Sequence, residues 1–241
     1  MARDEMYKGA QPETLPFEFS EAVVKVFPDM IERSVPGYSL LLELTPLLVR
    51  QAVQANSRIY DLGCSLGAAT LAARRAVRSE GVQMIAADSS VNMVKRCREV
   101  IAADNSRVPV EVVEADILDL AIENASIVML YFTLQFISPK HREGLIQRVY
   151  AGLKPGGVLI LAEKLAFESA QHQTWLDAHH HDFKRAQGYS DLEIARKRQA
   201  LENVLLPETR SEHHQRLKRA GFVIILDWFQ CFNFAAMVAI K

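Results

Sequence analysis

The chain is short of several things, and each shortage removes a class of protein. It has three cysteines, Cys64, Cys97 and Cys231, far apart and with no C-x-x-C pair. An odd, scattered set excludes a disulfide framework, offers no zinc-ligand spacing and fits a reducing cytosol. It has no basic excess: 28 Lys and Arg stand against 29 Asp and Glu, for a net charge of −1. A domain whose main task is to grip a polyanion shows a surplus of cations, so primary nucleic-acid binding is not expected. No run approaches the roughly 20 apolar residues of a membrane span. The opening stretch MARDEMYKGAQPETLPFEF lacks the apolar core of a signal peptide. No membrane partner and a cytoplasmic location are the expectation. Internal repeats and low-complexity linkers are absent as well.

What is present is 241 residues of 49% hydrophobic composition, enough for one sizeable core. Residues 1–20 read as a loosely ordered arm. The stretch SEAVVKVFPDMIERSVPGYS has a helical pattern interrupted at Pro28 and stopped by Pro36-Gly37. A second apolar helix follows in SLLLELTPLLVRQAVQA. From Arg58 the period changes to short, continuous apolar runs: RIYDL, VQMIAAD, VPVEVVEAD, SIVMLYF and GVLILAEK. Continuous runs predict strands buried on both faces, as in a parallel sheet. Amphipathic helices are predicted between them at 68–79, 92–103 and 139–153, the last closed by KPGG. The alternation predicts an α/β, Rossmann-like doubly wound sheet. Residues 168–206 read as a helical insertion. A helix and two apolar runs around Gln230 then predict a C-terminal antiparallel hairpin on the sheet edge. The expectation is a single domain: 1–57 N-terminal arm and helices, 58–167 ligand-binding core, 168–206 insertion, 207–241 closing helix and hairpin.

The chemistry starts in RIYDLGCSLGAAT, Arg58 to Thr70, where glycines at 63 and 67 frame a serine at 65. A glycine turn from strand to helix brings backbone N–H groups close to a ligand. The next strand ends at Asp88, 21 residues beyond Gly67, near the distance at which a carboxylate meets ribose hydroxyls. Asp116, closing the third run, falls on the same sheet edge. These acids describe a nucleoside site. Asp61 would repel a phosphate but can help position a cationic ligand, and S-adenosylmethionine carries a sulfonium and an ammonium and no phosphate. Here the chain resembles the class I S-adenosylmethionine-dependent methyltransferases, over roughly Arg58 to Glu163 and the closing hairpin.

A narrower likeness rests on VFPDMIERSVPGYS, YDLGCSLGAAT, FTLQF, HHDFKRAQGYSDLEI, ALENV and WFQCFNF, from about residue 23 to the end. These segments resemble the bacterial carboxy-S-adenosyl-L-methionine synthases. That resemblance implies a homodimeric enzyme that moves a carboxyl group from prephenate to the methyl carbon of S-adenosylmethionine. Phenylpyruvate is released, and a separate enzyme uses the carboxy-S-adenosylmethionine to modify wobble uridine in tRNA. Carried over by position, Tyr38, Gly63, Cys64, Ser65, Asp88, Ser89, Asp116 and Ile117 would contact the cofactor, and Arg198 would bind the transferred carboxylate. Tyr131 stands where the family usually has asparagine, and Ser89 likewise. An arginine fork suits a carboxylate. Lys184, Arg185, Arg196, Lys197 and Arg198, against Asp191 and Glu193, give the local positive charge a dianion needs. No catalytic base is named by these residues.

Blander readings stand beside these. His179-His180-His181 cannot share one helix face, and His172 with His179 has no matching carboxylate, so no metal is expected. Cys64 reads as a small packing residue, and Trp228 and Phe229 as core or dimer-face packing. Two other functions remain open: an ordinary small-molecule methyltransferase, which has no need of Arg198, and a non-catalytic adenosylmethionine-binding or tRNA-associated module. No D/N-P-P-Y/F stretch follows the fourth strand, which argues against methylation of base amino groups.

Overall fold

The computed structural model describes residues 2–8 and 17–241. Two helices, α1 (Glu21–Glu32) and α2 (Tyr38–Ala52), precede the sheet. Strands and helices then alternate: β1 (Arg58–Leu62), α3 (Ala68–Arg74), β2 (Gln83–Asp88), α4 (Val91–Ala102), β3 (Val110–Glu114), β4 (Ala125–Tyr131), α5 (Pro139–Gly152) and β5 (Leu153–Ala166). The expected insertion forms α6 (Ala170–Ala186) and α7 (Asp191–Leu201). The two-residue β6 (Glu208–Thr209), α8 (Arg210–Ala220), β7 (Ile224–Cys231) and β8 (Phe234–Ile240) close the chain.

The sheet order is β3-β2-β1-β4-β5-β8-β7, with β6 paired to β5 off this path. Strands β1 to β5 run parallel, and β8 and β7 add antiparallel as the expected hairpin. All seven residues of β4 are buried, which is why its sequence shows no polar alternation. Alternate side chains still part by face. Val128 and Leu130 pack with Leu145, Ile146 and Val149 of α5 and Leu217 of α8. Ile127, Met129 and Tyr131 pack with Leu41 and Val49 of α2 and Ala69 and Ala73 of α3. Helices therefore cover both faces, and the crevice opens at the carboxyl ends of β1 and β4, where the strand order reverses.

Four expectations need correction. Helix α1 continues through Pro28; proline deletes only its own donor, and Arg33 N still reaches Asp29 O at 3.1 Å. Helix α3 ends at Arg74, short of Ser79, where the backbone tightens into a turn with Ala76 N donating to Ala73 O; the Arg74 guanidinium is held by the carbonyls of Ile101, Ser106 and Val108 and by Asp104. The hairpin turns at Phe232-Asn233, leaving Gln230 inside β7. The N-terminal segment is pinned in part: Asp4 is buried, accepting from Tyr189 Oη at 2.5 Å and Lys197 Nζ at 3.3 Å. Residues 9–16 of the expected arm lie outside the described residues.

Candidate active site

The loop after β1 takes its shape from three residues with left-handed backbone, Gly63 (φ 81°), Ser65 (φ 48°) and Gly67 (φ 83°). A Cβ on Gly63 would stand 2.4 Å from the Thr133 side chain, so the position admits only glycine. The turn is tied to β2: Gly63 N and Cys64 N donate to Ala87 O, and Ser65 N donates to Asp88 Oδ2 at 2.9 Å. Asp88 Oδ1 accepts from Ser90 N at 2.9 Å. Burial pushes the Asp88 carboxyl up, against the lowering effect of these backbone N–H groups. One acid thus fixes the glycine loop and the start of α4 while lining the crevice.

Across the loop, Asp61 is buried and accepts from Thr70 Oγ1 at 2.5 Å. Burial raises its pKa to about 6, with the Thr70 bond opposing and Asp88 adding to the rise. It lines a cavity of about 310 Å³ together with Tyr38, Gly63, Cys64, Ser65 and Tyr131. A cationic ligand beside Asp61 favours its ionised form, so binding would release a proton at low pH. Cofactor affinity is therefore expected to fall as pH drops through 6, by at most tenfold per unit. Calorimetry across pH 5–8 checks this, and Asp61→Asn should flatten the profile.

The small cavity shares Phe27, Ile31, Gly63, Ser65 and Tyr131 with a larger one of about 860 Å³. Asp88, Ser89, Asp116 and Ile117 line the larger space at the sheet edge, and Arg198 lines it from α7. Of the residues singled out in the sequence, Tyr38 and Cys64 border the small cavity, Gly63, Ser65 and Tyr131 border both, and the others border the large one. The Tyr131 hydroxyl lies 2.8 Å from Thr45 Oγ1 on α2. Tyr131→Phe is expected to lower unfolding free energy by about 0.5–1.5 kcal/mol, the worth of one hydrogen bond. It should leave cofactor affinity within twofold, whereas Tyr131→Ala should weaken binding through lost packing. Denaturation and titration curves separate the two.

The five-cation stretch 184–198 divides once folded. Lys197 is taken by Asp4 and Ser34, and Arg185 by Asp182 and Asp191. Arg196 donates to Tyr7 O, and Glu193 is used in the Ser190 capping box. Among the described residues, the side chains of Lys184 and Arg198 make no hydrogen bond or ion pair, and both line the large cavity. The histidines also separate. His179 Nδ1 lies 2.8 Å from Trp175 O, and His180 Nε2 donates to Ser34 O at 2.8 Å. Burial pushes His180 down to about 2, so it is neutral. Among the described residues no group of three or more His, Cys, Asp or Glu is placed to hold a metal ion. Cys64 packs with Cys97, Ala86 and Ile101, and Trp228 and Phe229 pack beside the α2 face of the core.

Sequence reading missed the supports of the FTLQF turn. Glu163 is buried and accepts from Leu134 N at 2.8 Å and Gln135 N at 2.9 Å. Burial lifts its pKa to about 8, against those donors and Arg142. Gln135 Oε1 in turn accepts from Lys164 N at 2.9 Å, and Arg142 donates to the carbonyls of Ile137 and Leu206. Phe132, at the end of β4, is held at φ 57° and lines the large cavity. Such backbone costs about 1–3 kcal/mol and persists only where surroundings enforce it. An acid in the apolar GVLILAEK run was the available signal.

The glycine loop, the strand-end acids and the sheet order together define a class I S-adenosylmethionine-dependent methyltransferase fold. A methyltransferase-domain family model matches residues 59–157. An O-methyltransferase family protein from Burkholderia thailandensis has a TM-score of 0.63 at 14% identity, over 92% of this chain and 59% of that one. Human N-acetylserotonin methyltransferase, solved with S-adenosylmethionine, has a TM-score of 0.58 at 16% identity, over 92% and 56%. The chain spans little more than half of these two structures, and at such identity the likeness is one of fold alone. Sequence goes further. The carboxy-S-adenosyl-L-methionine synthase of Vibrio cholerae is 54% identical over 226 residues, covering 93% of this chain and 92% of that protein. The protein of the same name from Yersinia pestis is 52% identical over 239 residues, covering 99% and 90%. The chain belongs to the carboxy-S-adenosyl-L-methionine synthase family.

Proposed function

We propose that this enzyme transfers a carboxyl group from prephenate to the methyl carbon of S-adenosylmethionine, giving carboxy-S-adenosylmethionine and phenylpyruvate. The supporting observation is Arg198, an unengaged guanidinium lining a cavity that continues into the glycine-loop pocket. The balance closes without a further reactant. Aromatisation of the donor ring releases its carboxyl group as carbon dioxide and its hydroxyl as hydroxide. The methyl group gives up one proton, a carbon–carbon bond forms, and proton and hydroxide make water. The carbanionic methyl carbon and carbon dioxide are both quenched by solvent, which favours an apolar lining that keeps water away from them; Phe17, Phe19, Phe27, Phe136 and Phe234 line this cavity. The product serves wobble-uridine modification of tRNA by another enzyme, and in this reading the chain itself works in the cytoplasm. The net charge of −1 gives this chain little hold on tRNA itself.

Incubation with S-adenosylmethionine and prephenate should yield phenylpyruvate and an adenosyl species heavier by one carbon dioxide in mass spectrometry. Intact prephenate and a methylated small acceptor would instead mark an ordinary methyltransferase. The protein acts as a homodimer in this reading. The edge strand β7 and the residue before it expose Val223 (81% exposed), Ile224 and Leu226, an apolar edge that a second copy would cover. Light scattering should give twice the chain mass.

A further inference from the structure

Resting on the carboxyl-transfer reading, a second feature of the large cavity bears on how the donor is held. Helix α6 lines that cavity with Gln173, Asp177, His180 and Lys184, whose spacing of three and four residues keeps them on one face, and with His181 at that face's flank. Lys184 is only 7% exposed. Among the described residues its ammonium has no hydrogen bond or ion pair. The ammonium is not fully enclosed and opens on the cavity; a cation so largely withdrawn from water is costly unless it is paired or gives up its proton, and a bound anion supplies the pairing. Lys164, at the end of β5, lines the same cavity, and its side chain is likewise without hydrogen bond or ion pair among the described residues. The nearby acid, Asp177, is already engaged by Gln173 Nε2 at 2.9 Å and Asn233 Nδ2 at 3.3 Å.

We propose that Lys184 and Lys164 form a second anion subsite, separate from Arg198, which holds the carboxylate that the donor keeps. A dianionic donor with a departing and a retained carboxylate needs two such points. Arg198 serves the first through its fork, and two point charges on α6 and β5 serve the second. A dianion bound at both is oriented as well as held, so the departing group is delivered to the methyl carbon and the retained one stays behind in the 2-oxo acid product.

The titration behaviour follows. Burial pushes Lys184 down to about 7, and the cations Lys197, Lys164 and Arg198 push the same way against Asp177. The charged or titratable groups facing it are Lys197 and Arg198 from α7, Lys164 from β5, and Asp177, His180 and His181 from α6. A bound carboxylate favours the ammonium. Above pH 7 ligand binding therefore takes up a proton, and affinity falls with rising pH by at most tenfold per unit.

Phenylpyruvate, which carries only the retained carboxylate, is the probe, titrated into the full chain saturated with S-adenosylhomocysteine. Wild type should bind it with proton uptake at pH 8, read as a dependence of heat on buffer ionisation. Lys184→Gln and Lys164→Gln should each weaken it at least tenfold, Lys184→Gln should abolish the uptake, and Lys184→Arg should restore part of the affinity. Arg198→Ala should keep it within threefold, and S-adenosylmethionine affinity should hold in the lysine variants. No phenylpyruvate binding by wild type, equal affinity in the glutamine variants, or matching losses of both ligands overturns the subsite. Should Lys184→Gln fail to fold, the wild-type proton uptake and Lys164→Gln decide. Lysine-dependent binding in a protein that leaves prephenate intact keeps the subsite and removes carboxyl transfer. Prephenate turnover with an unchanged KM in both glutamine variants does the reverse.

Discussion

Replacing Arg198 by alanine is expected to separate the two adenosyl ligands. Affinity for carboxy-S-adenosylmethionine should fall by about 2 kcal/mol, roughly thirtyfold, while affinity for S-adenosylmethionine should stay within threefold. Losing one partner of a buried charge pair costs about 2–5 kcal/mol. Arg198 is exposed in the open cavity, so solvent screening places the effect at the lower end. Arg198→Lys should recover only part of it, because an ammonium cannot offer two parallel donors to one carboxylate. Phenylpyruvate formation should fall with Arg198→Ala even at saturating S-adenosylmethionine. Calorimetry with both ligands is the deciding measurement. Equal losses for the two would show that α7 had moved, and that the guanidinium does not read the carboxylate.

A loss of similar size is expected from Asp88→Ala, by a different route. Asp88 lines the crevice and also accepts from Ser65 N and Ser90 N. In the proposed reading Asp88 also accepts from the ribose hydroxyls; on that reading its removal takes away an acceptor and unties the glycine loop, and cofactor affinity should drop by about 1.5–3 kcal/mol, the usual worth of hydrogen bonds to a charged group. Asp88→Asn keeps one oxygen acceptor and turns an amide donor toward one of the two N–H groups. It should therefore bind more weakly than wild type and melt lower as well. The two readouts distinguish contact from scaffolding. If the alanine variant melts lower yet binds S-adenosylmethionine as wild type does, the acid belongs to the loop and not to the ligand.

The sequence carried the frame of this protein because local pattern and burial agree there. Continuous apolar runs such as SIVMLYF can only be strands covered on both faces, and β4 is buried throughout. Glycine at 63 and acids at 61, 88 and 116 mark strand ends because loops there must turn sharply and face solvent or ligand. Arg198 was legible only through the family's ALENV register, since on charge alone 184–198 is a solvated helix face. Tertiary structure decided which of those cations act. Among the described residues, Asp4, nearly 200 residues upstream, takes Lys197, surface acids take Arg185 and the Tyr7 carbonyl takes Arg196, which leaves Lys184 and Arg198 of that stretch facing the cavity without a hydrogen bond or ion pair. Nothing local marks Lys184 as buried, and the acid in the apolar GVLILAEK run signals that Glu163 is special without naming the distant turn that it clamps. Lys184 is surrounded by residues of α7 and β5, and Glu163 by the turn after β4 and by Arg142 of α5, elements that meet only in the folded chain. Residue types and periodicity set the elements; the pairing of charges across long separations belongs to the folded chain, because an ion pair is made by proximity and not by sequence order.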